Sequence, residues 1–171
     1  MISKTGFRYC PKCASENISM QSENSMLCKD CGFTYFHNTA AAVGGILVLE
    51  KKIVLLRRNQ EPMTGKLDLP GGFINYNESA EDALTREVME ETGIDIQKLH
   101  YFGASSNIYH YKGVTYYTSD IFYTADILSV ESFRPNEEVS ELVLADPATI
   151  DMKEIAFPSA VFMVEKYREK L

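Results

Sequence analysis

An α/β (α+β) fold, with a small metal-stapled module ahead of it, is predicted by three observations. Two CxxC pairs near the start of the chain use all four of its cysteines. Long apolar segments of strand character begin at Thr39. Between Gly72 and Ile94 a glycine-rich bend feeds a capped, acidic, amphipathic helix. The 171 residues are 45% hydrophobic and 24% charged, enough for one substantial core and an accessory module, which places the divisions at residues 1–37 and 38–171. A net charge of -7 argues against non-specific binding to nucleic acid or to an anionic membrane, both of which need a basic surface. An anionic substrate carried with a cation stays compatible. The longest apolar run, Ala40 to Leu49, holds two glycines and is too short to span a bilayer, and Met1 to Arg8 lacks the apolar stretch of a secretion signal. The expectation is a cytoplasmic protein.

Cys10, Cys13, Cys28 and Cys31 form two knuckles separated by fourteen residues. Thiolates at that spacing suit a tetrahedral Zn²⁺, and four cysteines leave no open position for water or substrate, so the ion is expected to be structural. Two disulfides are the competing account; the adjacent CxxC pairs and a reducing compartment weigh against it. Lys4, Arg8, Lys12 and Lys29 against Glu16, Glu23 and Asp30 leave the module nearly neutral, which is unlike a nucleic-acid-binding ribbon. Phe7, Tyr9, Phe33, Tyr35 and Phe36 flank the knuckles and are expected to pack there.

Thr39 to Leu49 and Lys52 to Arg57 read as two strands joined at Glu50 and Lys51. Arg57 and Arg58 end the second strand ahead of the loop Asn59 to Gly65. An arginine there suits a phosphate as well as an ordinary strand end, and neither is assigned. Next comes the acidic helix. Asn77 or Ser79 serves as N-cap, Ser79 with Asp82 makes a capping-box-like pair, and Gly93 is the stop. At about 100° per residue, Ala83, Leu84 and Val88 define the buried face, and Glu87 and Glu91 fall inside it. Two carboxylates one turn apart on an apolar stripe, with Glu90 close by, call for a neutralising partner. Oxygen-only ligands select a hard divalent cation, Mg²⁺ or Mn²⁺. A solvated helix end with an Arg86–Glu90 pair at i,i+4 explains Glu90 but leaves Glu87 and Glu91 on the wrong side.

Beyond the helix, Ile94 to Leu99 and Tyr101 to Asn107 read as strands, and Tyr109 to Tyr123 as a hairpin turning at Lys112 and Gly113. Its tyrosines, Tyr109, Tyr111, Tyr116, Tyr117 and Tyr123, favour strands on packing grounds alone. His37, His100 and His110 lack partners at ligand spacing and read as structural. Glu137, Glu138 and Glu141 form a second acidic group just before the apolar stretch Leu142 to Ala145. Phe157 to Leu171 closes the chain as a helix with Phe157, Val161, Val164 and Leu171 as a broken apolar stripe.

Gly72 through Ile94, with Glu78, Arg86, Glu87, Glu90, Glu91 and Gly93 in place, resembles the Nudix box, the signature of the Nudix hydrolases. Gly65, Leu69, Pro70 and Gly71 resemble its lead-in. Leu67 stands where that family often has a tryptophan, and this chain has none. The resemblance implies a Nudix-type α/β/α sandwich with a mixed sheet. It also implies a pyrophosphohydrolase: water attacks a phosphorus of a nucleoside diphosphate linked to X, giving a nucleoside monophosphate and phosphorylated X. Glu87, Glu90 and Glu91 are then the Mg²⁺ or Mn²⁺ ligands, Arg86 orients the acidic cluster, and Glu78 braces the loop. In Nudix proteins a glutamate in the region of Glu138 often joins the metal site or acts as base. Glu138 is therefore the preferred base, on a loop able to swing toward a bound diphosphate, with Glu90 as the fallback and a solvated loop carboxylate as the plain alternative.

A zinc ribbon ahead of such a domain resembles the NADH/FAD pyrophosphatase-like branch. The family's Ser-Gln-Pro-Trp-Pro-Phe-Pro array is missing, and no proline stands between Pro70 and Pro135, which also removes the downstream proline of many ADP-ribose pyrophosphatases. The expected substrate is a small-molecule nucleotide, either an adenine dinucleotide such as NADH or FAD or an ADP-sugar. An RNA-end (nucleotide cap) hydrolase and a non-catalytic nucleotide-sensing regulator are the alternatives. Nucleic acid and membrane are disfavoured as partners, and a homodimer is left open.

Overall fold

Residues 7–171 are described by the structure, a computed structural model. The first six residues, with Lys4 of the charge balance and most of the Met1 to Arg8 segment, lie outside the described residues. The chain divides into two compact units, Met1–Thr39 and Ala40–Leu171.

In the first unit β1 (Ile18–Ser22), β2 (Ser25–Cys28) and β3 (Thr34–Phe36) make an antiparallel sheet in that order. Each CxxC pair occupies a tight turn. Ala14 N–H donates to the Cys10 carbonyl and Gly32 N–H to the Cys28 carbonyl, with Gly32 at φ 69, a conformation that suits glycine. Asp30 ties the two turns together by accepting from Ser15 Oγ at 2.5 Å and Asn17 Nδ2 at 2.6 Å. Those two bonds hold its carboxyl below its ordinary pKa. Met26 is fully buried, and Phe7 meets Tyr35 edge-on with centroids 4.9 Å apart, so these two aromatics do pack on each other.

In the second unit β4 (Ala40–Leu49) and β5 (Lys52–Arg58) form a hairpin through Glu50 and Lys51, whose φ of 50 and 68 match the two-residue turn that suits strand twist. The strands stay paired only at Val48↔Ile53 and Leu49↔Lys52. Beyond that they part, and two short strands enter the gap. β6 (Leu67–Asp68) pairs with β5, and β7 (Gly71–Phe73) pairs with β4. β8 (His100–Tyr111) and β9 (Val114–Asp126) turn at Lys112 and Gly113, as read from the sequence. β9 runs parallel to β4 from Ala40↔Thr118 to Val48↔Asp126. β10 (Val139–Ala145) is antiparallel to β5, giving a mixed sheet in the order β10-β5-β4-β9-β8.

Alternation along the strands sorts side chains onto two faces. Val43, Leu47, Val54, Leu56 and Tyr123 pack with Ala83, Leu84 and Val88 of α1 (Ala80–Thr92). Ile46, Ile53, Leu55 and Phe122 pack with Ala160, Met163 and Val164 of α2 (Pro158–Arg168). Helices on both faces make this the α/β/α sandwich the resemblance implied. Leu84 and Val88 have no exposed surface, and each stabilises α1 on the sheet by roughly 1.5–3 kcal/mol. Ser79 caps α1 by accepting from the Asp82 N–H at 3.1 Å, and Gly93, at φ 69, ends it.

Two expectations need correcting. Ile94 to Leu99 is not a strand. Ile94 and Ile96 are buried in the α1 cluster, but Lys98 sits at φ 57 and breaks the extension, so the segment covers the helix end instead of joining the ladder. The α2 stripe holds in part: Phe157 and Val164 are buried and Val161 packs against the cluster, but the stripe also takes in other residues and stops short of Leu171. Ala160, Met163 and Val164 are its buried residues, with Ser159, while Leu171 lies beyond the helix and is 71% exposed.

Candidate active site and cysteine cluster

The split between β4 and β5 brings the glycine bend under α1. Gly71, at φ 147, passes so close to β4 that a Cβ on it would collide with the Val43 carbonyl oxygen. Its N–H donates to Glu91 Oε2 at 2.9 Å. At Gly72 a Cβ would lie 2.6 Å from the Glu87 carboxyl carbon, so the bare backbone makes room for that carboxylate.

Arg86 organises the solvent side of this cluster. Its Nε and Nη2 donate to the two oxygens of Glu78 at 2.7 and 2.9 Å, a bidentate pair, and Nη2 also reaches the Phe73 carbonyl at 3.2 Å. Nη1 donates to Glu87 Oε1 at 2.8 Å and to Glu90 Oε2 at 3.0 Å. Glu78 accepts a further bond from the Asn75 N–H, so it braces the loop. Arg86, followed by that N–H, draws Glu78 down to about 2, and Glu78 in turn raises Arg86.

Glu87 and Glu91 behave oppositely. Burial raises Glu87 against the pull of Arg86. Burial pushes Glu91 well above the usual carboxylate range; the Gly71 N–H opposes this, and the charges of Asp68, Glu87 and Glu138 add to it. Glu87, Glu91 and Glu138 line one cavity of about 320 Å³. Glu90 does not line it; its side chain is 59% exposed and turned to Arg86. Of the second acidic group only Glu138 reaches the cavity, since Glu141 pairs with Arg57 at 2.6 Å. Glu138 stands immediately before β10. Its N–H donates to Asn136 Oδ1 at 2.9 Å and its carbonyl accepts from the Asn59 N–H at 2.7 Å, so both of its backbone polar groups are paired.

The rest of the cavity wall comes from residues that sequence reasoning did not assign. Arg58 lies over the Phe157 ring at 5.0 Å, donates to the Pro62 carbonyl and approaches Asp68 at 3.5 Å. Burial, opposed by Arg58, pushes Asp68 up to about 7. Thr118, Asp120 and Ser159 add polar groups to the lining, and Phe73, Tyr109 and Phe157 aromatic rings. The sequence did offer one signal: Thr118 and Asp120 are polar at alternate positions of a strand that carries Phe122 next in the series. Which face they share depends on pairing with β4, which is not local.

In the first unit the four cysteine sulfurs lie within 4.8 Å of one another, Cys10 to Cys31 at 3.8 Å and Cys13 to Cys28 at 3.7 Å. A tetrahedron of Zn–S bonds near 2.3 Å has edges of about 3.8 Å, so the cluster fits a zinc ion and is too wide for disulfides. Within the cluster a backbone hydrogen bond at Cys31 leads in drawing the Cys28 thiol down to about 7, while the Cys13 thiol, against a backbone bond at Ser15, is pushed up to about 12 by the Cys31 side chain, so the group shares its protons unevenly when no cation balances it. Among the described residues no helix is long and apolar enough to cross a membrane.

A mixed sheet thus lies between two helices, with carboxylates from a loop–helix unit gathered over a split in the sheet. The chain belongs to the NUDIX domain family, whose profile matches residues 38–163. It is 31% identical to a protein of Vibrio atlanticus named NAD-capped RNA hydrolase NudC over 97 residues, covering 57% of this chain and 36% of that protein. It is 45% identical to the ADP-ribose pyrophosphatase of Methanocaldococcus jannaschii over 60 residues, 35% of each. The chain thus spans about a third of the length of these curated relatives. A NUDIX hydrolase structure from Nitrosomonas europaea superposes with a TM-score of 0.77 at 24% identity, over 96% of this chain and 92% of that one, which is a likeness of fold.

Proposed function

We propose that this chain hydrolyses the diphosphate linkage of a nucleoside diphosphate joined to a second group X, releasing a nucleoside monophosphate and phosphorylated X. The observation that carries the reading is the convergence of Glu87, Glu91 and Glu138 on one cavity while the guanidinium of Arg86 gives its bidentate pair to Glu78, divides one nitrogen between Glu87 and Glu90, and leaves Glu91 with a backbone N–H. An all-oxygen donor set with uncompensated negative charge suits Mg²⁺ or Mn²⁺. Glu87 and Glu91 would hold the ion, with Glu90 one helical turn from the former's neighbour Arg86 and on the solvent side. Such an ion, when bound, neutralises diphosphate oxygens and makes water a better nucleophile.

The chain's own groups supply the rest. Arg86 keeps Glu87 and Glu90 oriented. Glu138 comes from a different element, lines the same cavity, and takes the proton of the attacking water. Arg58 presents a cation on the wall that an anionic substrate meets. The cysteine cluster would hold a structural Zn²⁺ that takes no part in this chemistry. For X and the base, similarity to proteins named for NAD-capped RNA and for ADP-ribose supports an adenine dinucleotide such as NADH or FAD, or an ADP-sugar. The Vibrio relative's name also favours a second reading, hydrolysis of a nucleotide cap on RNA. The net charge of -7 weighs against it. A sensor without turnover has no need of the full carboxylate set.

The test is a product-resolved screen of NADH, FAD, ADP-ribose, diadenosine polyphosphates, nucleoside triphosphates and NAD-capped RNA with Mg²⁺ or Mn²⁺. Mononucleotide release from one of the first three supports the proposal. Failure to cleave any of them with either ion refutes it.

A further inference from the structure

The polar lining residues Thr118, Asp120 and Ser159 have no role in the chemistry above. Across the β8–β9 ladder Asn107 stands opposite Thr118 and Ser105 opposite Asp120, while on the other side β4 sets only Ala40 and Ala42 beside them. Thr118 is 3% and Asp120 7% exposed, and both line the cavity. Ser159 of α2 donates to Asp120 Oδ2 at 2.6 Å, which fixes the carboxylate. Its Oδ1 and the Thr118 hydroxyl are the buried side-chain polar atoms that have no partner among the described residues. Buried polar groups are nearly always paired, so two orphans two residues apart on one strand, open to one cavity, point to a ligand that pairs them.

We infer that Asp120 and Thr118 read the base edge of the nucleotide and select a heterocycle bearing an amine beside a ring nitrogen, the pattern of adenine. The inference rests on the nucleotide reading proposed above. A carboxylate oxygen only accepts, so what meets Oδ1 must donate. A hydroxyl also donates, so Thr118 satisfies a ring nitrogen that accepts. Hypoxanthine reverses both features: it sets an oxo group against Oδ1 and a ring N–H in place of the acceptor. Tyr109 and Phe157, with ring centroids 5.5 Å apart, border the cavity and offer a planar base apolar faces to lie against.

The experiment compares ADP-ribose and NADH with their hypoxanthine counterparts, in kcat and KM, for the wild type, Asp120→Asn and Thr118→Val, with Mg²⁺. Binding of AMP and IMP is measured by calorimetry on the same proteins, and a thermal melt checks each fold. The wild type is expected to favour adenine by about 10- to 100-fold, chiefly through KM. Asp120→Asn keeps an acceptor for Ser159 but turns a donor to the base, so the preference collapses or inverts. Thr118→Val lowers it by weakening the adenine substrate. Equal use of both bases by the wild type overturns the inference, as does an unchanged ratio in folded Asp120→Asn. If that variant does not fold, the Thr118→Val ratio decides. If no substrate is cleaved by any protein, the proposed reaction fails, and the AMP-to-IMP binding ratio alone upholds or overturns the base reading.

Discussion

Replacing Glu91 with glutamine separates stability from function at one atom. Glu91 is buried among Asp68, Glu87 and Glu138 and held by the Gly71 N–H. Glutamine keeps the shape and an acceptor for that N–H while deleting the charge. A like-charge pair near 5 Å at an effective dielectric of 20 costs about 3 kcal/mol, and partial protonation of the cluster lowers the relief, so metal-free Glu91→Gln should gain roughly 1–3 kcal/mol. For a chain of this size that is a melting temperature higher by about 2–10 °C, measured by scanning fluorimetry in chelator. Saturating Mg²⁺ stabilises the wild type by about 2.7 kcal/mol at a hundredfold excess over its Kd, and the variant should lose most of that increment. Its turnover should fall by about 10²-fold or more. A variant that melts below the wild type in chelator, keeps the Mg²⁺ increment, or cleaves the best substrate at the wild-type rate would show that this face is not a cation site.

Cys28→Ser should release zinc, by elemental analysis, and unfold the first unit; structural zinc contributes about 10–16 kcal/mol in isolated fingers, so wild-type protein purified zinc-free without chelator would remove the basis for this. In single-turnover hydrolysis at saturating metal, Glu138→Gln should slow the reaction by about 10²- to 10⁴-fold, whereas Glu137→Gln and Glu141→Gln should not; equal small losses in all three would return Glu138 to the solvated surface. Stability of the metal-free protein should depend on pH with two signs. Asp68, raised from 3.8 to about 7, contributes stability that is complete below its unfolded value and lost as pH rises through about 7, and Glu91 acts in the same direction. Glu78, lowered from 4.5 to about 2, contributes stability present above 4.5 and lost as pH falls through about 2. Melting temperature should therefore climb as pH drops from about 8 to about 5 and decline again in strong acid; a steady fall from about 8 downward contradicts the assigned shifts.

What was legible in the sequence was local. Ser79, Asp82 and Gly93 mark the ends of α1 because caps act within one turn, and Glu50–Lys51 marks the hairpin because a two-residue turn is its own signal. The CxxC spacing works the same way. Ile94 to Leu99 failed because alternating apolar residues fit a strand or a strap over a helix end equally well, and the choice rests on Lys98 and on what lies underneath. Asp68, Thr118, Asp120 and Ser159 were out of reach for a related reason. They come from β6, β9 and α2, and meet only because β4 pairs in parallel with β9 while β6 and β7 wedge it away from β5.

The charges around α1 are compensated unevenly, and this unevenness links the fold to the proposed chemistry. Arg86 faces three carboxylates, yet its bidentate pair goes to Glu78 and single bonds go to Glu87 and Glu90. Glu91 receives only a backbone N–H, although it is the most desolvated of the four. An arginine placed to stabilise the apoprotein would serve Glu91 first, since unpaired charge costs most where water is excluded. Placed where it is, Arg86 ties the loop to the outer edge of the helix while Glu91 stays short of positive charge. The sandwich can tolerate this because fully buried residues on both faces, Leu47 and Leu84 on one and Ile46 and Met163 on the other, hold the scaffold independently of the cluster. A site built this way is least stable when empty and gains most from a divalent cation, so metal affinity and substrate affinity would both draw on strain that the empty fold already carries.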